Sequence, residues 1–288
     1  MAQGTISSEL TIATAVSTLG DLLAPIPEFT LNITNEVVGS QAKGVVPVVS
    51  TEDVARDYDA TKGYSVEADT GLTTIDVNLS EAIKPFQLSD NEMNKSPISL
   101  ASFAKQNAHE FGRYLLNKIF TAVDAATITN TRNVAAGSLA VSHVKAMQKE
   151  LDAAGAPLDR CLLANAAGNS NLMPDSIETF GAGVLESGRF SNLYGMRVFP
   201  QSANNDAAGK VHTMASSSDA IVIVNRQPEV SGTATLEEYT PFTIDGIGLQ
   251  CAYRRYYDAS KGQHFGAFTS MFGVGVAKPS HIAVCKKA

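Results

Sequence analysis

The chain has 288 residues, with 22 Lys and Arg against 29 Asp and Glu, and a formal net charge of −7 at neutral pH. A composition of 44% hydrophobic and 18% charged residues is that of folded protein and excludes a disordered chain, while the acidic balance argues against an ordinary duplex reader, which gathers Lys and Arg on one face. The charged fraction is low for the surface of a soluble monomer, so part of that surface is expected to be covered by copies of the chain or by a partner.

The first 40 residues read as irregular or partly helical. Leu10, Ile12, Ala15, Leu19, Leu22 and Leu23 form a loose amphipathic pattern that Gly20 weakens and that Pro25 and Pro27 stop. This segment is expected to act as an arm that needs something to lie against. Val45, Val46, Val48 and Val49 flank Pro47, which favours an edge strand. Ile75, Val77 and Leu79 alternate with polar residues in the period of a strand with one wet face. Between the two lies an acidic run, Glu52 to Gly71, so a protruding hairpin is expected that is marginal without neighbours.

Ser96 and Pro97 open the strongest helical signal, in which Phe103, Ala104, Phe111, Leu115, Ile119 and Ala122 recur at helical spacing to about Ala126 despite Gly112. A second helix is expected from Ser138 to Ala154, with Val144, Met147 and Leu151 on one face and Gly155 as terminator. Beyond it, Cys161–Leu163 reads as a strand, Asn165–Pro174 as loop, Ser176–Leu185 as a short helix, and Met196–Phe199 and Ala220–Val224 as strands. The last block gives strand-like runs at Gly248–Tyr253, Phe268–Val276 and His281–Cys285.

Motifs that carry chemistry are sparse. Gly209-Lys210 is followed by Val211, so no phosphate-binding loop is formed, and neither GxGxxG, HExxH nor GxSxG occurs. The five histidines fall in no metal-binding spacing, and the three cysteines, Cys161, Cys251 and Cys285, are expected as buried free thiols. No cofactor or metal site is therefore expected. No apolar stretch reaches the roughly 18 residues of a bilayer span, and the opening MAQGTISSEL lacks the basic region of a secretory signal, so no membrane association is expected.

Charge is distributed unevenly. Residues 51–81 hold eight acidic side chains against two basic ones, whereas residues 251–288 hold six basic ones against Asp258 alone. Glu52, Asp53 and Asp57 at one pole and Arg254, Arg255 and Tyr256 at the other are the candidate contacts between subunits, since Arg and Tyr favour interface cores and opposite charges suit head-to-tail association. A solvated face beside a basic end is the competing explanation.

The order of these features resembles the major capsid proteins of tailed double-stranded DNA bacteriophages, whose shell-forming fold is shared with encapsulins. The likeness is carried by GVVPVVS (44–50) and TTIDVNLSEAIKPFQLSDNEM (73–93) as the two sides of an extended loop. It is carried further by the long helix after Ser96, by SLAVSHVKAMQKELDAAGAP (138–157) leading into RCLLANAAGNSNLM (160–173), and by VNRQPEV (224–230) with the closing block 239–284. The resemblance implies an α+β, HK97-like fold. Its parts would be an N-terminal arm (1–40), an extended loop with flanking strands (41–90), the helical part of a peripheral domain with its spine helix (91–160), an axial domain (161–238) and the return strands of the peripheral domain (239–288).

It also implies a non-enzymatic subunit that assembles as pentamers and hexamers of an icosahedral shell around double-stranded DNA, in the host cytoplasm and then in the virion. Some relatives carry a cleaved N-terminal scaffolding domain for which this chain leaves no room, so a separate scaffolding protein is implied, with a portal protein at one vertex and non-specific contact with packaged DNA. Some members also cross-link a loop lysine to a neighbour's asparagine; the corresponding loop here holds Lys62. An encapsulin-like compartment shell, and less readily a soluble hydrolase with a dispersed triad, are the alternatives.

Overall fold

A computed structural model describes residues 8–33, 43–50, 71–89, 91–92, 100–173, 192–201, 207–229 and 236–287. The first helix, α1 (Ser8–Leu23), places Ala15, Leu19 and Leu23 at four-residue spacing and wholly out of solvent. It runs through Gly20 and ends at a turn of Ala24 and Pro25, after which α2 (Ile26–Phe29) buries Ile26 and Phe29. β1 (Thr30–Asn32) follows, and the Thr30 hydroxyl donates to the Ile26 carbonyl at 2.8 Å. All five of these apolar side chains belong to the main hydrophobic core.

The expectation of an arm with little support of its own is corrected here, because residues 8–33 are a structural part of the subunit. The stretch Glu9–Phe29 does have the length and hydropathy of a membrane span, with a mean hydropathy of 1.3, but its apolar face is packed against the rest of the chain.

β2 (Lys43–Ser50) and β3 (Gly71–Asn78) form a two-stranded antiparallel ladder in which Lys43 faces Asn78, Pro47 faces Thr74 and Ser50 faces Gly71. The expected hairpin is therefore present. The acidic run expected as its tip, residues 51–70 with Glu52, Asp53, Asp57 and Lys62, lies outside the described residues, as does the expected helix Ser176–Leu185. After β3 the chain continues directly into β4 (Ser80–Ser89).

α3 (Leu100–Ala125) is 26 residues and about 39 Å long, and Ala104, Ala108, Phe111, Leu115, Ile119 and Val123 line its buried face. α1 crosses it at Gly112, where an added Cβ would lie 2.6 Å from a Leu22 methyl and 3.1 Å from a Leu19 methyl. The sequence reads this glycine as an interruption; the fold uses it as a crossing point. The expected caps Ser96 and Pro97 fall outside the described residues. β5 (Asn130–Asn133) leads to α4 (Val141–Ala153), whose first turn is capped when the Ala140 N–H donates to Nδ1 of His143 at 3.0 Å. Val144, Met147 and Leu151 are buried as the spacing predicts, and Gly155 ends the segment at φ +69°. Arg160 then holds the end of α4 through the carbonyls of Pro157 (2.7 Å) and Ala156 (2.5 Å) and the Asp152 carboxylate (2.5 Å).

β6 (Arg160–Asn165) is buried throughout. The next segment, expected as loop, is a helix, α5 (Ala166–Leu172), because the Asn165 side chain caps it by accepting the Gly168 N–H at 2.8 Å. β7 (Asn192–Leu193), β8 (Met196–Gln201), β9 (Val211–Ser217), β10 (Ile221–Arg226), β11 (Glu238–Ile244), β12 (Leu249–Asp258), β13 (Gln263–Val276) and β14 (Ile282–Lys286) complete the chain.

These strands form two six-stranded sheets. The first runs β1-β10-β13-β12-β11 with β4 also paired to β13, and the second runs β5-β14-β9-β6-β8-β7. The sequence boundaries at 161–238 and 239–288 do not follow this division. β10 pairs with β13 in the first sheet, and β14, expected among the return strands, lies between β5 and β9 in the second. The reason is geometric: β9–β10 and β13–β14 are two short crossings between sheets, and hydropathy carries no mark of which sheet a strand joins. Tyr253, Phe268 and Phe272 of the first sheet pack with Phe111 and Leu115 of α3, and Leu162, Ala215 and Cys285 of the second sheet pack with α4.

Candidate assembly surfaces

Three features are candidates for contact with other copies, the β2–β3 ladder and two places on the first sheet. The first is the β2–β3 hairpin, which is held at its root. Ile75, Val77 and Leu79 cluster with Val222, Val224 and Met271, and β3 crosses β13 where Gly273 and Gly275 leave room. At Gly273 an added Cβ would lie 2.8 Å from both the Asn78 carbonyl oxygen and a Val77 methyl, so only a glycine admits the crossing.

The second feature is the far end of the β12–β13 pair. Tyr256 stacks on Phe265 with ring centroids 4.9 Å apart, and Tyr257 lies 4.6 Å from His264. Tyr256 and Tyr257 nevertheless remain 43% and 37% exposed. The two pairs sit at one end of interior strands, and because successive side chains alternate between sheet faces, each face carries one aromatic pair of the type that anchors interfaces. The third feature is the exposed Ile83 of β4, set opposite Thr269. Strand alternation in 80–89 is the signal that would have found Ile83; Pro85 and Lys84 obscure it.

Arg254 places Nη2 3.1 Å from a Glu81 oxygen and lies 5.9 Å from the Tyr239 ring centre, and Arg255 places Nε 3.5 Å from Glu237 and 3.8 Å from Glu238. Both arginines thus have carboxylate partners within the subunit, supplied by β4 and by β11 with the residue before it. Tyr256 is brought to the aromatic end, and Glu52, Asp53 and Asp57 fall outside the described residues.

The outer strands of the first sheet limit how a neighbour can attach. Among the described residues β4 pairs only with β13 and β11 only with β12, and each carries a proline, Pro85 and Pro241. A proline breaks the row of donors that strand addition needs, so contact there is directed to side chains.

No group of three or more His, Cys, Asp or Glu among the described residues is placed to hold a metal ion. The three cysteines are buried as expected, and burial pushes their thiols up, Cys251 to about 12, Cys285 to about 11 and Cys161 well above its usual range. Thiols so placed are packing groups.

Solved structures share this architecture. One from Mycobacterium phage Che8 overlaps 91% of this chain and 90% of its own, at a TM-score of 0.62 and 16% identity. The capsid of a native GTA particle overlaps 93% and 90%, at 0.60 and 14% identity. A virus-like particle from Pyrococcus furiosus overlaps 95% and 96%, at 0.56 and 11% identity. No protein-family model matches the chain, and no curated protein matches it. The chain has the α+β, HK97-like fold of these shell subunits.

Proposed function

We propose that the chain is the structural subunit of a closed icosahedral shell, the major capsid protein of a tailed bacteriophage, arranged as pentamers and hexamers around double-stranded DNA. The observation that carries the reading is the overlap of nine-tenths or more of both chains with subunits from phage, GTA and virus-like particles, which leaves little of this chain for another task. In this reading the first sheet with α3 is the peripheral domain and α3 its spine. The second sheet with α4 is the axial domain, and the β2–β3 hairpin is the extended loop laid on a neighbour. The aromatic end of β12–β13 and the exposed Ile83 gain cover from adjacent copies, and closed symmetry repeats each contact.

A separate scaffolding protein, a portal protein at one vertex and non-specific contact with packaged DNA complete the proposal, with assembly in the host cytoplasm. The overlap with the virus-like particle favours one second reading, a compartment shell of the encapsulin kind. Sedimentation velocity of the chain, alone and with candidate scaffolding proteins, tests the proposal together with a nuclease-protection assay of whatever sediments fast. Scaffold-dependent particles that protect DNA support the phage reading. Scaffold-independent particles holding a protein cargo support the compartment, and a slow species under every condition overturns both.

A further inference from the structure

The turn between β7 and β8 is two residues long, with Asn192 opposite Arg197 and Leu193 opposite Met196. Both turn residues are left-handed, Tyr194 at φ 52° and Gly195 at φ 77°. Such a turn favours Asn-Gly, Asp-Gly or Gly-Gly, because a bulky side chain is crowded in that conformation. Among the described residues Tyr194 is the one residue other than glycine with a positive φ. Its ring remains 39% exposed, and it makes no hydrogen bond or ring contact with a described residue. The chain thus holds a tyrosine in a costly conformation at a tip where its own fold makes little use of it. An outlier of this kind points to a task outside the subunit.

A second turn reaches the same end of the same sheet. β6 and β8 run parallel with Cys161 opposite Arg197, so Leu158 and Tyr194 both stand in the turns that enter these adjacent strands. Leu158 is 85% exposed, the most open of the large apolar side chains among the described residues. Its turn is nevertheless bolted from beneath. Buried Arg160 donates to the Pro157 carbonyl at 2.7 Å and to the Ala156 carbonyl at 2.5 Å, and the Asp159 carbonyl accepts the Ser218 N–H at 3.3 Å. Side chains presented by fixed turns lose little freedom on binding, and tyrosine is a favoured interface anchor. We propose that this end of the second sheet is a contact surface for a second copy of the chain, with Tyr194 as its anchor and Leu158 as its apolar cover. The proposal rests on the shell-subunit reading, in which every flank of a copy faces another copy. A contact repeated head to tail joins two unlike patches, and the chain offers further exposed apolar groups in Ile83, Tyr256 and Tyr257.

Tyr194→Asn gives the turn the residue it favours and removes the ring, so folding and assembly are expected to move in opposite directions. The thermal midpoint of the unassembled subunit is expected to rise by about 1–3 °C. The protein concentration at which fast-sedimenting particles form is expected to rise about tenfold or more. Leu158→Ser is expected to shift that threshold the same way with the midpoint unchanged. A photo-reactive benzophenone side chain at position 158 of the full chain is expected to cross-link one copy to another within the particles. Particles whose threshold neither variant shifts overturn the inference, as do cross-links to a different protein alone. A lower midpoint in Tyr194→Asn also overturns it, since the ring would then serve the subunit's own fold. Failure of the parent to form particles, alone or with candidate scaffolding proteins, is a separate result that removes the shell reading and the contact between copies with it.

Discussion

Gly273 and Gly112 show how the same residue type serves two kinds of close approach. At Gly273 the obstacle to a side chain is the Asn78 backbone, which cannot turn aside, so Gly273→Ala is expected to destabilise the subunit by about 1–3 kcal/mol and to loosen the hairpin root. Chemical denaturation and hydrogen exchange across β3 measure both effects. At Gly112 the obstacles are Leu22 and Leu19 methyls, which can rotate away, and alanine recovers about 1 kcal/mol of helix propensity. Gly112→Ala is therefore expected to leave stability within about 1 kcal/mol of the parent. Neither role is legible in the sequence, because a glycine's neighbours across the fold are not its neighbours in the chain. The burial of Val144, Met147 and Leu151 is legible, since it follows from one helix's own period. The contacts of the Asp219 carboxylate with Lys278 and His281 belong with the illegible class, since the partners lie 59 and 62 positions along the chain.

At the scale of elements, the N-terminal segment gives the sharpest revision. Leu19, Leu23, Ile26 and Phe29 are each fully buried, and each such side chain contributes about 1.5–3 kcal/mol, together comparable with the roughly 5–15 kcal/mol that keeps a domain folded. Removing residues 1–33 is thus expected to abolish the cooperative thermal transition of the subunit as well as assembly; a truncated subunit that melts like the parent contradicts this packing account. Sequence reading misplaced the segment because two prolines and a glycine dilute its periodicity, while its partner helix α3 is distant in the chain. β9 escaped sequence reading for a related reason. It reads Val-His-Thr-Met-Ala-Ser-Ser, polar enough for an edge, yet every position is buried, with His212 bonded through its ring nitrogens to the Val134 carbonyl at 2.6 Å and the Thr213 hydroxyl at 3.0 Å. Strands such as β10, whose first four residues are apolar in unbroken succession, announced themselves.

For the whole molecule, the separation of folding contacts from assembly contacts is what matters. Arg254→Glu sets a carboxylate beside Glu81, and the partly exposed pair is worth roughly 0–1 kcal/mol, so a small loss of stability is expected that the added Glu81→Arg exchange restores. Tyr256→Ala removes a stack worth about 0.5–1.5 kcal/mol and is expected to leave the subunit folded while lowering the yield of shells. Equal shell yield from Tyr256→Ala and parent would remove the aromatic end from the assembly surface. The charge exchange separates two roles for Arg254, since recovery of stability without recovery of assembly assigns it to a neighbour as well as to Glu81. The most direct measurement of the central claim is electron microscopy of the full chain expressed alone and beside candidate scaffolding proteins. The account predicts closed shells of uniform diameter under at least one of these conditions. A discrete monomer or dimer under all of them would contradict it and leave the chain with a shell subunit's fold but another task.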